Sequence, residues 1–235
     1  NKAAAEMRER VSTLVGPRAK AMWVMTFHSA CVRILRREAD KVGLRSTFSI
    51  YDAADSQRLM SMVIRDMDLD PKRYNPRSFS HQVSNLKNEL IDEEAYASRV
   101  GEASPHQEQV LAEAYTAYQR RLRQANAMDF DDLIMTTVHI FQAFPDVAEH
   151  YRRRFRHVMV DEYQDTNHAQ YQLVRELVGS PATRTRAPEG GTAEGRAGPG
   201  AHGVEPSELV VVGDADQSIY AFRGATIRNI EESEV

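Results

Sequence analysis

The chain has 235 residues, 42% of them hydrophobic, enough for one sizeable core or for a core with a smaller lobe. Its net charge of −4 hides a gradient: residues 1–50 carry 10 Lys/Arg against 4 Asp/Glu, residues 51–160 carry 14 against 17, and residues 161–235 carry 6 against 13. No run approaches the roughly 20 apolar residues of a membrane span, and the single Cys31 excludes an internal disulfide framework or a cysteine-rich zinc site. The charged opening NKAAAEMRER is no secretory signal, so a reducing, cytoplasmic setting without membrane contact is expected.

In chain order, apolar spacing predicts a helix over 2–14, a strand at 21–27 (AMWVMTF), a helix over 28–42 and a short strand at 48–52 (FSIYD). Helical patterns follow at 53–68, about 104–126 and 129–143, and no convincing strand falls between 53 and 155. Asp129 suits the N-cap of the helix after it, whose Phe130, Leu133, Ile134, Val138, Ile140 and Phe141 form an apolar flank expected in the core. A strand at 157–161 (HVMVD), a helix at 167–178 and a strand at 208–214 (ELVVVGD) complete the series. Strands 21–27, 157–161 and 208–214 read as buried on both faces, as in a parallel sheet. Strands separated by long helical stretches define an α/β fold. Residues 1–52 and 156–235 are expected to build its sheet domain, with 53–155 inserted as an all-helical accessory domain. Residues 179–208 hold 7 of the 12 glycines and 4 of the 9 prolines, with Val204 their only large aliphatic residue. Too little apolar surface is available there to offset the ordering entropy, so a disordered loop is expected.

Three stretches carry chemistry. In RHVMVDEYQDTN (156–167) an apolar strand runs straight into carboxylates. The C-terminal end of a parallel strand is where α/β sheets bind ligands. Asp161 there suits a hydrated Mg²⁺, which takes oxygen ligands, and Glu162 suits a base acting on a water beside a phosphoryl group. The plainer alternative makes Asp161 and Asp165, or Asn167, helix caps. In VVVGDADQSIYAFRGA (210–225) a second apolar strand leads to Gly213, Asp214, Asp216 and Gln217, a neutral group suited to sensing a γ-phosphate. Tyr220, Phe222 and Arg223 follow, the residue types that hold single-stranded bases by stacking with cation–π support. Alternatively Ile219 and Phe222 are core and Arg223 pairs with Asp214. In TFHSACVRILRRE (26–38) a helix start offers backbone N–H groups to phosphate, Phe27 offers a stacking face, and Arg33, Arg36 and Arg37 follow. Alternatively Ser29 is a cap and His28 a surface residue.

The strings NKAAAEM, TFHS, MDFDDL, VDEYQDTN and VGDADQSIYAFRGA, in that order, closely resemble superfamily 1 DNA helicases of the UvrD/Rep/PcrA branch. The resemblance covers nearly the whole chain outside 179–208 and the last few residues. It implies a RecA-like P-loop NTPase sheet, ATP and Mg²⁺ as cofactors, and single-stranded DNA and single-strand/duplex junctions as partners, with 3′ to 5′ translocation in DNA repair or replication. DNA-repair proteins are further partners it suggests. Residue by residue, it implies DNA contact for Asn1, Lys2, Phe27, His28, Tyr220, Phe222 and Arg223. It makes Asp161 the Mg²⁺ ligand, Glu162 the catalytic base, and Gln217 with Arg223 the link between γ-phosphate and DNA. The accessory span 53–155 is expected to contact duplex DNA ahead of the fork.

The family's phosphate loop, G-x-x-x-x-G-K-[ST], does not occur in these residues, nor does a second motor domain. The chain is therefore expected to be a fragment of an ATP-dependent DNA helicase, inactive as an ATPase by itself. Rival readings are the motor part of a helicase–nuclease subunit and a DNA-binding module without ATPase activity. A carboxylate nuclease using Asp131, Asp132 and Asp161 is a third, disfavoured because the sequence shows no lysine positioned with those acids.

Overall fold

A computed structural model describes residues 2–179 and 205–213. Asn1, most of the glycine-rich segment, and Asp214, Asp216, Gln217, Tyr220, Phe222 and Arg223 lie outside the described residues. The chain forms two compact units that divide after Thr137. It is a helix-rich α/β protein with two small parallel sheets.

The first unit opens with α1 (Lys2–Val15), a 3₁₀ segment (Gly16–Ala21) and α2 (Phe27–Glu38). The strand expected at 21–27 does not form: Met22 and Thr26 have extended backbones, but residues 22–26 join no ladder among the described residues. Extended, apolar sequence is not enough for a strand, which also needs a neighbour for its N–H and C=O groups. Strand β1 (Ser49–Tyr51) pairs in parallel with β2 (Ala127–Asp129), Ile50 opposite Met128. β2 corrects the expectation of a strandless span from 53 to 155.

Between β1 and β2 run α3 (Ala53–Asp66), α4 (Pro76–Asn88), α5 (Glu93–Arg99) and α6 (His106–Gln124). Their starts are set by side-chain caps: Asp52 accepts from Asp55 N at 2.8 Å, Asn75 from Arg77 N at 2.9 Å, and Asp92 from Ala95 N at 2.7 Å. Met60, Val63 and Ile64 of α3, Phe79 and Val83 of α4, and Leu111, Tyr115, Tyr118 and Leu122 of α6 make one shared core. Helices α4 and α5 have no counterpart among the expected helices. Both start at an Asn or Asp cap, and α4 is rich in Ser, Asn and His, which are weak helix formers.

Cys31 is fully buried on α2, and burial pushes its thiol up to about 12. Native protein is therefore expected to resist a thiolate-directed alkylating reagent that labels the unfolded chain within minutes. Fast labelling at neutral pH without denaturant contradicts this burial.

Helix α7 (Phe130–Ala143) crosses the division between the units. Of its expected apolar flank, Leu133, Ile134, Val138, Ile140 and Phe141 are buried, but Phe130 is 47% exposed. The second unit continues with α8 (Pro145–Arg154), β3 (His157–Val160), α9 (His168–Val178) and β4 (Glu208–Val211). β3 and β4 pair in parallel, Val158 opposite Leu209 and Val160 opposite Val211. Burial on both faces is not observed: Val160 is buried, but Met159 is 75% exposed and β4 is exposed throughout. A two-stranded ladder cannot cover its own faces. Residues 205–208, placed in the disordered loop by composition, are held in order. Ser207 is buried, its Oγ donates to Phe155 O at 2.5 Å, and Arg156 Nη1 donates to Glu205 O at 2.7 Å.

Candidate functional site

The β3–β4 ladder continues past its last paired residues: Val212 N donates to Val160 O at 2.8 Å and Tyr163 N donates to Val212 O at 3.0 Å. Between these two bonds lie Asp161 and Glu162, both exposed at the C-terminal end of β3. Glu162 has φ 53° and ψ 42°, the left-handed region, which costs a non-glycine residue about 1–3 kcal/mol. That backbone turn ends the strand and starts the 3₁₀ turn Tyr163–Asp165. Asp161 Oδ1 accepts from Glu162 N at 3.0 Å, and Gln164 Nε2 donates to Glu162 Oε2 at 2.7 Å.

The cap of α9 is neither Asp161 nor Asp165 but Asn167. Its Oδ1 accepts from Gln170 N at 2.9 Å, while Gln170 Oε1 accepts from Asn167 N at 3.1 Å. This reciprocal box satisfies the helix start and leaves the strand-end acids out of it. Among the described residues no three His, Cys, Asp or Glu side chains gather as a metal cage. One exposed aspartate with a neighbouring glutamate fits Mg²⁺, which keeps several waters and draws further oxygens from phosphates.

At the start of α2 the cap is Thr26, whose Oγ1 accepts from Ser29 N at 3.3 Å. Phe27 and His28 are half-buried, and Lys2 is exposed. Burial lowers the His28 pKa, so the imidazole is neutral at pH 7. Its ring meets Phe130 edge to face, with centroids 5.6 Å apart. Arg33 lies over Trp23 at 4.3 Å and Arg36 over Phe48 at 3.8 Å, so these two arginines of α2 are engaged with rings of their own unit. Phe130 was expected in the core because it falls in register with Leu133 and Ile134. The signal that separates it is Asp129 just before it, which makes Phe130 the first residue of α7.

Asp129 does cap α7. Its Oδ1 accepts from Asp132 N at 2.9 Å, and Asp132 Oδ2 accepts from Asp129 N at 3.1 Å. A lysine is positioned here after all: the fully buried Lys87 of α4 places Nζ 2.6 Å from Asp129 Oδ2 and 2.8 Å from Asp132 Oδ1. Tyr118 Oη donates to Asp129 Oδ2 at 2.9 Å and Gln119 Nε2 to Asp132 Oδ1 at 3.1 Å. Burial alone pushes the ammonium pKa down, but the two carboxylates reverse that and hold it raised. Burial and the neighbouring Asp129 push Asp132 up to about 7 and Asp131 up to about 6. Two of the three MDFDDL carboxylates, Asp129 and Asp132, are thus committed to Lys87 in a buried ion-pair lock.

This chain matches the profile of the UvrD/REP helicase N-terminal domain over residues 1–234, and it belongs to that family. It is 60% identical, over all of its 235 residues, to ATP-dependent DNA helicase UvrD1 of Mycobacterium tuberculosis (strain ATCC 25618 / H37Rv). It is 58% identical over its full length to UvrD1 of Mycobacterium leprae (strain TN), and 44% identical over 98% of its length to ATP-dependent DNA helicase PcrA of Bacillus subtilis (strain 168). The chain spans 28% of both UvrD1 proteins and 27% of PcrA. No helix among the described residues is long and apolar enough to cross a membrane.

Proposed function

We propose that the chain is part of an ATP-dependent 3′ to 5′ DNA helicase of the UvrD type, which couples ATP hydrolysis to movement on single-stranded DNA and to duplex unwinding. The observation that carries this reading is the exposed Asp161–Glu162 pair at the end of a parallel strand, with Glu162 held by Gln164. Residues 1–52 and 156–235 belong to a RecA-like ATPase domain, and 53–155 to an inserted helical accessory domain that meets duplex DNA. The apolar core shared by α3, α4 and α6 supports a helical lobe within 53–155, while the compact units divide after Thr137. The exposed apolar ladder β3–β4 supports a wider parallel sheet around it.

Asp161 holds Mg²⁺, which when bound neutralises phosphate charge. Glu162 accepts the proton of a water whose oxygen bonds to the γ-phosphorus as the bond to the bridging oxygen of ADP breaks. Gln217 and Arg223 link the nucleotide to DNA. Asn1 and Lys2 contact the strand. Phe27, Tyr220 and Phe222 stack on bases, and the neutral His28, backed by Phe130, adds a flat face rather than a charge.

The test is ATP hydrolysis by the full-length protein in Mg²⁺ with and without single-stranded DNA, together with strand affinity at several salt concentrations. Phe130→Ala is expected to weaken DNA binding about tenfold with an unchanged salt slope, because it removes the ring that backs the His28 face, and stacking contributes about 1–3 kcal/mol per base. Its melting temperature should hardly move, since the ring is 47% exposed. Lys2→Ala is expected to flatten the slope of log affinity against log salt by about 0.7. An early melt of Phe130→Ala, with normal affinity in the folded fraction, shows the ring to be structural.

A further inference from the structure

The carboxylate assigned as general base is exposed and sits at the end of a flexible side chain, yet a base must be oriented before it can take a proton from a water. Two residues further on, Gln164 is 2% exposed and spends its amide N–H on Glu162 Oε2 at 2.7 Å. The other end of the same carboxamide faces the end of β4. A Cβ on Gly213 would lie 2.6 Å from Gln164 Oε1 and 3.3 Å from its backbone nitrogen. The bonds Val212 N to Val160 O and Tyr163 N to Val212 O fix these segments against each other. The carboxamide is thus wedged between the strand-end base and a residue that has no side chain.

We propose that Gln164 is a positioning residue for ATP hydrolysis. Its amide N–H sets the orientation of the Glu162 carboxylate, and the bare Cα of Gly213 leaves room for the carboxamide to do so. This rests on the reading of Glu162 as the base. The chemistry suits the task. An amide donor fixes one carboxylate oxygen and leaves the other for the water, whereas a lysine or arginine in its place would stabilise the ionised carboxylate and weaken it as a base. Gly213 also begins the GDADQ stretch, so the same wedge ties the base to the segment that carries Gln217 in sequence.

The experiment compares Gln164→Leu, Gln164→Glu, Gly213→Ala and Glu162→Gln in the full-length protein. It reads kcat, KM for ATP, single-stranded DNA affinity and melting temperature. Gln164→Leu is expected to lower DNA-stimulated kcat about 10- to 100-fold, the worth of a hydrogen bond to a charged group, with KM and DNA affinity within about twofold. Gln164→Glu, the same size but placing a carboxylate against a carboxylate, is expected to lower kcat at least as far. Gly213→Ala displaces the carboxamide with its chemistry intact and should lower kcat in the same direction. Combined with Gln164→Leu it should add nothing, because both act through one contact. A purely structural role predicts instead that kcat per folded molecule is unchanged and that the two losses add. If Gln164→Leu does not fold, Gly213→Ala decides, and full kcat in that variant overturns the proposal. Full kcat in Gln164→Leu beside an inactive Glu162→Gln overturns the positioning role alone. Full kcat in Glu162→Gln overturns the reading beneath it.

Discussion

Glu162→Gln is expected to lower DNA-stimulated ATP turnover by roughly 10²–10⁴-fold in the full-length protein, the usual worth of a positioned proton acceptor. The substitution is nearly isosteric, and its amide oxygen can still accept from Gln164 Nε2, so the geometry at the end of β3 should survive. What disappears is the ability to take up the water's proton. ATP and DNA affinity should therefore stay close to the parent values, and the loss should fall on kcat. Asp161→Asn should behave differently. It removes a charge proposed for Mg²⁺, so its defect should include nucleotide affinity and should ease as Mg²⁺ is raised. Measuring kcat and KM for both variants across a Mg²⁺ series separates the two roles. Turnover by Glu162→Gln within about twofold of the parent, at equal folded fraction, removes Glu162 from the mechanism.

The acids at the end of β3 were legible because the signal is local: Val158, Met159 and Val160 run directly into Asp161 and Glu162, and no fold gains by that order alone. The start of α9 was legible as Asn167, one of the three cap candidates the stretch offered. Other features depend on partners that no local window contains. β2 is three residues long and exists because β1 lies beside it, 78 positions earlier in register. Residues 22–26 have the apolar run of a strand and no ladder among the described residues. Lys87 reads in sequence as one more polar position on α4, and only the return of the chain at Asp129, 42 residues later, makes it the buried centre of an ion-pair network. The left-handed backbone of Glu162 leaves no mark in composition at all.

That buried lysine carries the second large expectation. Lys87→Met should destabilise the fold by about 3–5 kcal/mol, because it leaves Asp129 and Asp132 buried without their cation. The effect should depend on pH with a definite sign. The Asp132 carboxyl is pushed up to about 7 in the folded protein, above its value in the unfolded chain. The folded state therefore binds that proton more tightly between about pH 4 and 7, and the contribution of Asp132 to stability declines as pH rises through that window. Asp129, held low by Lys87 despite its burial, works in the opposite sense: its contribution is present above the ordinary carboxylate range and is lost as acid protonates it. Removing the ammonium raises both carboxyls, so the penalty of Lys87→Met should be larger at pH 8 than at pH 5. Asp132→Asn should remove the decline between about pH 4 and 7, and in Lys87→Met it should restore part of the lost stability at pH 8. Urea unfolding of the three variants at pH 5, 6.5 and 8 measures each term. A Lys87→Met penalty below about 1 kcal/mol and flat with pH would mean that the Lys87 ammonium does not compensate those two carboxylates in solution.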